Sequence, residues 1–299
     1  MPNLIIIGTL ALDTIETPFG RRVDVLGGSA CYASLAASFF AQPGIVAVAG
    51  EDFPSAHYDL LKSKGIDMAG VEIKGKTFRW EGSYKFDMNS AETKKTELNA
   101  LANFVPKLPE AYRSASHVFL GNIDPDLQLS VIEQLEKPEV IMLDTMNFWI
   151  QSKREALVKV MRKADIMVMN DGEARMLFDT PNLVKAAAET LKLGLKAVII
   201  KKGEHGSLLF TKEGHFNAPG YPLETVVDPT GCGDSFGGGL IGYLAKKNEL
   251  SERALRKGMV LGSAIASFNA ESFSTERLAR ISLTDIEGRF AEMRRMREF

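Results

Sequence analysis

Residues 228–245 read DPTGCGDSFGGGLIGYLA. Phe236, Leu240, Ile241, Tyr243 and Leu244 recur at helical spacing, which predicts a helix over the second half. Gly231, Gly233, Gly237, Gly238 and Gly239 crowd its start. One glycine inside a helix costs about 1 kcal/mol relative to alanine, and three in a row cost about 3 kcal/mol. The stretch therefore demands bare backbone beside a single acid, Asp234. Glycines let successive N–H groups converge on one point with no Cβ in the way. A helix that follows adds the positive end of its dipole, and the result is a hole for an anion. A carboxylate beside such a hole repels phosphate. It makes sense facing the other reactant, as a general base for a neutral hydroxyl. The competing reading is a tight turn with Asp234 as a helix cap.

Outward from this stretch, short apolar runs end repeatedly in Gly, Asn or Asp. They cover residues 4–7, 45–49, 117–120, 140–143, 166–169 and 197–200. Runs this short, apolar on both faces, fit strands of a parallel sheet covered by helices. Residues 29–40, 56–64, 126–135, 153–163 and 182–193 fit the helices between them. The alternation predicts an α/β fold with a doubly wound, mostly parallel sheet, whose ligands bind beyond the carboxyl ends of the strands. The chain also looks helical from about residue 251, with 293–299 expected as a solvated end.

The segment 77–88, TFRWEGSYKFDM, breaks this rhythm by alternating strictly. Phe78, Trp80, Tyr84, Phe86 and Met88 share one parity, the signature of a sheet with one covered face. Residues 13–17 and 21–26 form a second candidate strand pair. Together these predict a small antiparallel β-sheet over residues 13–26 and 71–98, acting as a lid. Residues 1–12, 27–70 and 99–299 would then form the large domain. The alternative is an extra edge hairpin on the main sheet. The aromatic face could stack on a ring, seal the lid or clasp two copies into a homodimer.

The chain has 299 residues, 45% hydrophobic, and a formal net charge of −2. Neither a basic surplus nor a charge run suggests nucleic acid. Two cysteines, Cys31 and Cys232, are too few for a metal cluster or a disulfide framework. No apolar stretch reaches the roughly 18 residues of a membrane span, and no signal peptide is evident, so a cytoplasmic protein is expected. There is no P-loop and no G-x-G-x-x-G after the first strand.

The segment 226–245 resembles the C-terminal signature of the ribokinase-like (PfkB) family of carbohydrate and nucleoside kinases. The segment 26–38, LGGSACYASLAAS, resembles its other signature, NDGE at 170–173 its N-x-x-E motif, and KKGEHGS at 201–207 its strand–glycine nucleotide loop. The four occur in family order over nearly the whole chain. The resemblance implies an ATP-dependent, Mg²⁺-assisted kinase for a hydroxyl, as a rule CH₂OH, of a sugar or nucleoside. Asp234 corresponds to the catalytic base, and Gly231, Cys232 and Gly233 to the anion hole. Asn170 and Glu173 would organise Mg²⁺ largely through water, in keeping with its reluctance to shed water. Lys201, Gly203, Gly206 and Asn269 would flank the nucleotide, and Lys201 departs from the usual Thr or Ser. Asp228 with nearby carbonyls would hold a monovalent cation, as in some relatives.

On the acceptor side the resemblance implies Asp13 for sugar hydroxyls, with Gly27, Gly28 and Ser29 lining the approach. Asn122, Asp124, Asp144 and Asn147 sit at strand ends within reach of an acceptor, or simply form turns. Ala11 and Ser29 depart from ribokinase itself, and GGSA is closer to nucleoside kinases and some hexose kinases. Two rivals stay open. One is a kinase for a sugar phosphate, through Arg21, Arg22 and Arg79, or for an inositol. The other is a non-catalytic sensor of a sugar or nucleotide.

Overall fold

The computed structural model describes residues 2–298. The strands are β1 (Leu4–Ile7), β2 (Ala11–Thr17), β3 (Gly20–Gly27), β4 (Pro43–Ala49), β5 (Asp67–Ile73), β6 (Phe78–Tyr84), β7 (Ala91–Glu97), β8 (His117–Leu120), β9 (Val140–Leu143), β10 (Ile166–Asn170), β11 (Ala197–Lys201), β12 (Ser207–Phe210) and β13 (His215–Ala218). Nine of them form one sheet in the order β13-β12-β11-β10-β9-β8-β1-β4-β5. It is parallel except at one end, where β12 pairs antiparallel with β11 and β13 antiparallel with β12.

The short strands are apolar on both faces because both faces are covered. In β1, Leu4 and Ile6 join one core while Ile5 and Ile7 join the other. The helices Ser29–Ala37, Cys232–Lys247 and Glu252–Ala270 pack on the first face. Pro125–Ile132, Arg154–Met161, Asp171–Phe178 and Leu183–Leu191 pack on the second. The last helix is Leu283–Arg295, and Met293, expected in the solvated end, is fully buried in the first core. No helix among the described residues is long and apolar enough to cross a membrane.

The remaining four strands form a separate small sheet, β3-β2-β6-β7. Its two hairpins are antiparallel, and they join through a parallel pairing of β2 with β6 that sets Asp13 opposite Trp80. β5 is the edge of the large sheet, so residues 71–73 belong there and not with the small one. The continuous aromatic face expected over 78–88 does not form. The β6–β7 register shifts between Glu81 and Gly82. Trp80 folds across that bulge, where a Cβ on Gly82 would come within 2.2 Å of its ring. Phe86 falls beyond the strand and is 98% exposed.

Candidate active site

The phosphate-hole candidate sits where the Cys232–Lys247 helix begins. Gly231 caps it at φ +74°, and a Cβ there would strike the Tyr32 ring at 2.3 Å, so only glycine fits. The Cys232 N–H donates to the Pro229 carbonyl (3.1 Å) and the Ser235 N–H to that of Gly231 (2.8 Å). Among the described residues the N–H groups of Gly231 and Gly233 have no protein acceptor. The expected trio therefore keeps two free donors, and Cys232 closes the turn. Burial pushes the Cys232 thiol up to about 12, which keeps it protonated and unreactive.

The glycines that follow serve a different purpose. A Cβ on Gly238 would meet the Ala33 carbonyl oxygen at 2.1 Å, one on Gly237 the Phe119 ring at 2.7 Å and one on Gly239 Ile265 at 2.8 Å. They are contact faces for two helices and β8, not part of the anion hole.

Two residues expected to touch ligands instead brace the turn. Asn269, expected near adenine, is fully buried, and its Nδ2 donates to the Thr230 carbonyl (2.7 Å). The close packing of Glu252–Ala270 against the glycine-bearing helix aims it there. Asp228, assigned to a cation, accepts from the N–H groups of Thr230 (2.9 Å) and Ser274 (2.8 Å) and is fully buried.

Four charged side chains converge beside the turn. Lys201, the last residue of β11, donates from Nζ to Asp144 Oδ2 at 3.0 Å, and a Cβ on Gly233 would lie 3.0 Å from the same Nζ. Asp144 Oδ1 accepts from the Thr145 N–H (2.8 Å), so both of its carboxylate oxygens have partners within the fold. Asp234 is pushed up to about 7, by burial first and by the Asp144 charge second, against the opposing Lys201 charge. A helix N-terminus favours the charged form. Desolvation outweighs the dipole.

Asn170 and Glu173 close a reciprocal cap on the helix after β10. Glu173 accepts from the Asn170 N–H and Nδ2, each at 2.7 Å, and donates its own N–H to Asn170 Oδ1 at 2.8 Å. Burial pushes Glu173 up to about 7, with Lys201 opposing. Among the described residues no three His, Cys, Asp or Glu side chains could together hold a metal ion. A fixed carboxylate with lone pairs to spare suits a hydrated Mg²⁺ held through water, and does not suit a direct cage. In the neighbouring loop Gly203 and Gly206 adopt φ +54° and +81°; a Cβ on Gly206 would strike the Ala218 carbonyl oxygen at 2.1 Å.

Asp13, on β2, is 4% exposed and pushed up to about 8 by burial, then by the charges of Asp228 and Asp234, with the Gly28 N–H opposing. Gly27 makes room for it: a Cβ would lie 1.9 Å from Asp13 Oδ2. Gly28, at φ +96°, passes the Thr9 carbonyl where a Cβ would approach to 2.3 Å. Ser29, counted with the acceptor residues, turns inward. Its Oγ accepts from the Thr9 N–H (3.1 Å) and its N–H donates to Thr9 Oγ1 (3.0 Å). Asn122 accepts from Trp149 Nε1 (2.9 Å), and Asp124 accepts from Lys153 (2.8 Å). Asn147 begins the helix Asn147–Ser152.

One contact lies beyond sequence reasoning. Tyr84 of the small sheet meets Thr230 of the phosphate turn, its hydroxyl 3.2 Å from Thr230 Oγ1. The two are 146 positions apart, and only the alternation of 77–88 hinted that Tyr84 faces inward.

Comparison with known proteins agrees with this arrangement. Residues 13–278 match the pfkB family carbohydrate kinases. The chain is 31% identical over 259 residues to a cytidine kinase of Thermococcus kodakarensis, covering 84% of this chain and 92% of that protein. It is 26% identical over 156 residues to a nucleoside kinase of Methanocaldococcus jannaschii, 52% of this chain and 48% of the relative. The crystal structure of the M. jannaschii nucleoside kinase matches with a TM-score of 0.77 at 20% identity over 97% of this chain and 98% of that one. A putative ribokinase II from E. coli, in complex with ATP and Mg²⁺, matches with a TM-score of 0.80 at 18% identity over 98% and 100%. The fold is thus ribokinase-like, and the chain belongs to the pfkB family of carbohydrate kinases, phosphotransferases that act on a hydroxyl acceptor.

Proposed function

We propose that the protein is an ATP-dependent nucleoside kinase that phosphorylates the hydroxymethyl group of a ribonucleoside. The observation that carries this reading is a pair of acids, half-buried Asp234 beside the free N–H groups of Gly231 and Gly233, and buried Asp13 on β2, close enough for the Asp234 charge to act on it. Phosphoryl transfer needs positioning, neutralised phosphate charge and an acceptor for the hydroxyl proton. In this reading Asp13 accepts from the vicinal ribose hydroxyls and so turns the hydroxymethyl group toward Asp234. The hydroxymethyl oxygen bonds to the γ-phosphorus as its proton passes to Asp234, and the bond from γ-phosphorus to the bridging oxygen breaks to release ADP. The free amides hold the phosphoryl oxygens meanwhile. Mg²⁺, organised by Asn170 and Glu173 through water, supplies charge neutralisation when bound. Gly203 and Gly206 flank the nucleotide, and the small sheet closes as a lid over the acceptor.

The similarity to a cytidine kinase over 84% of the chain supports a nucleoside, and the relative's name points first to a pyrimidine. The sugar-phosphate alternative loses its basic residues. Arg79 pairs with Asp24 and Asp52, Arg21 with Glu81, and Arg22 lies over the Phe273 ring. The sensor reading has no observation in its favour. A role in the cytoplasm and a homodimer through the small sheet are further proposals, the second open to sedimentation analysis.

The test is ADP release with Mg²⁺·ATP against a panel of ribonucleosides, ribose and fructose, with products identified by mass spectrometry. We expect nucleoside 5′-monophosphate. Turnover of free sugars alone makes the protein a sugar kinase, and a wild-type chain inert toward the whole panel ends the reading.

A further inference from the structure

The proposed chemistry leaves one group unused. Lys201 is 18% exposed at its side chain and reaches the same space as the phosphate turn. An ammonium carries three donors, and among the described residues one is spent, on Asp144 at 3.0 Å. Gly233 leaves Nζ room beside the turn, since any Cβ there would press on it at 3.0 Å. The surroundings are otherwise acidic: Asp144, Glu173 and Asp234 all act on Lys201. A phosphate oxygen entering a turn ringed by three carboxylates needs a fixed cation, and a lysine is a compact point charge suited to phosphate.

Resting on the kinase reading above, we propose that Lys201 contacts the transferring phosphoryl group, and that Asp144 is the positioning residue that holds its ammonium beside Gly233. The pair gives the anion hole a positive charge fixed in the fold, besides the charge any bound metal brings. Because it contacts oxygens that gain charge during transfer, its loss falls on turnover more than on acceptor binding.

Removing Lys201 alone would strand Asp144 as a buried unpaired charge. The informative variant is therefore Lys201→Met with Asp144→Asn, which deletes the pair together. We expect a folded protein with kcat lowered about 100-fold and acceptor KM within about threefold of wild type. By calorimetry without metal, affinity for a non-hydrolysable ATP analogue should fall about tenfold while ADP affinity changes little. A folded double variant with kcat within about threefold of wild type overturns the proposal and leaves a structural ion pair. Should the double variant not fold, Lys201→Gln, which keeps a donor for Asp144, is read the same way. A wild type inert toward every acceptor defeats the kinase reading instead, and the comparison of the ATP analogue with ADP then decides the role of Lys201 alone.

Discussion

Asp234, half-buried, and Asp13, buried, are two carboxylates in different surroundings. Asp234→Asn keeps the shape and removes the proton acceptor, so kcat should fall by about 10³ while ATP-analogue affinity stays within about threefold. Unchanged turnover would take Asp234 out of the mechanism. A base raised to about 7 is protonated below that pH. The kcat/KM profile should therefore fall on the acid side of about pH 7, and a flat profile down to pH 5 would contradict it. Asp13 gives a stability test. Its folded value is about 8, against about 4 in an unfolded chain. Between these values the native state holds a proton that the unfolded state has lost, so this residue's contribution to stability declines as pH rises from about 4 to about 8. Asp13→Asn removes that dependence. Its melting temperature should exceed wild type by a few degrees at pH 8 and match it at pH 4, measured by scanning calorimetry. At this scale the sequence marked candidates by motif spacing, and the structure brings Gly231, Gly233 and Asp234 to one turn while giving Gly238, Asp228 and Asn269 contacts within the fold. The sequence did not show the partners. Lys201 and Asp144 are 57 positions apart, and Asn269 reads equally well as a ligand contact until helix packing turns it under residue 230.

Among the elements, six of the nine strands of the large sheet, β1, β4, β8, β9, β10 and β11, were legible because both of their faces are buried and each appears as an apolar run, whereas β5, β12 and β13, at the two ends of the strand order, gave no such run. The small sheet was legible only as two hairpins. Its parallel β2–β6 join and the bulge at Gly82 depend on partners distant in the chain, and the bulge breaks the regular alternation. The glycine run of 237–239 makes a prediction in which one substitution type has opposite signs at two sites. Gly238→Ala drives a methyl into the Ala33 backbone and should destabilise by about 1–3 kcal/mol. Gly288→Ala, inside Leu283–Arg295 with nothing within 4 Å, should stabilise by about 1 kcal/mol. Urea denaturation reads both, and equal effects would mean that the glycine run is a matter of helix propensity alone.

For the molecule as a whole, the two sheets meet over the phosphate turn, where Tyr84 touches Thr230 and Arg79 ties the small sheet to Asp52 after β4. If the small sheet closes on the acceptor, backbone amides of β2, β3, β6 and β7 should gain protection in hydrogen exchange when a nucleoside is added. Those of β8 to β11 should change little. Protection that is absent or confined to the large sheet would remove the closing motion. The helices starting at Gly28 and Gly231 are seated backbone against backbone through Ala33, Ala37, Gly238 and Gly242. The spacing between the two reactant cradles is thus a machined constant of the scaffold. If the small sheet roofs the acceptor, a lineage changing its acceptor would retool that roof, since the anvil beneath admits not even a methyl group.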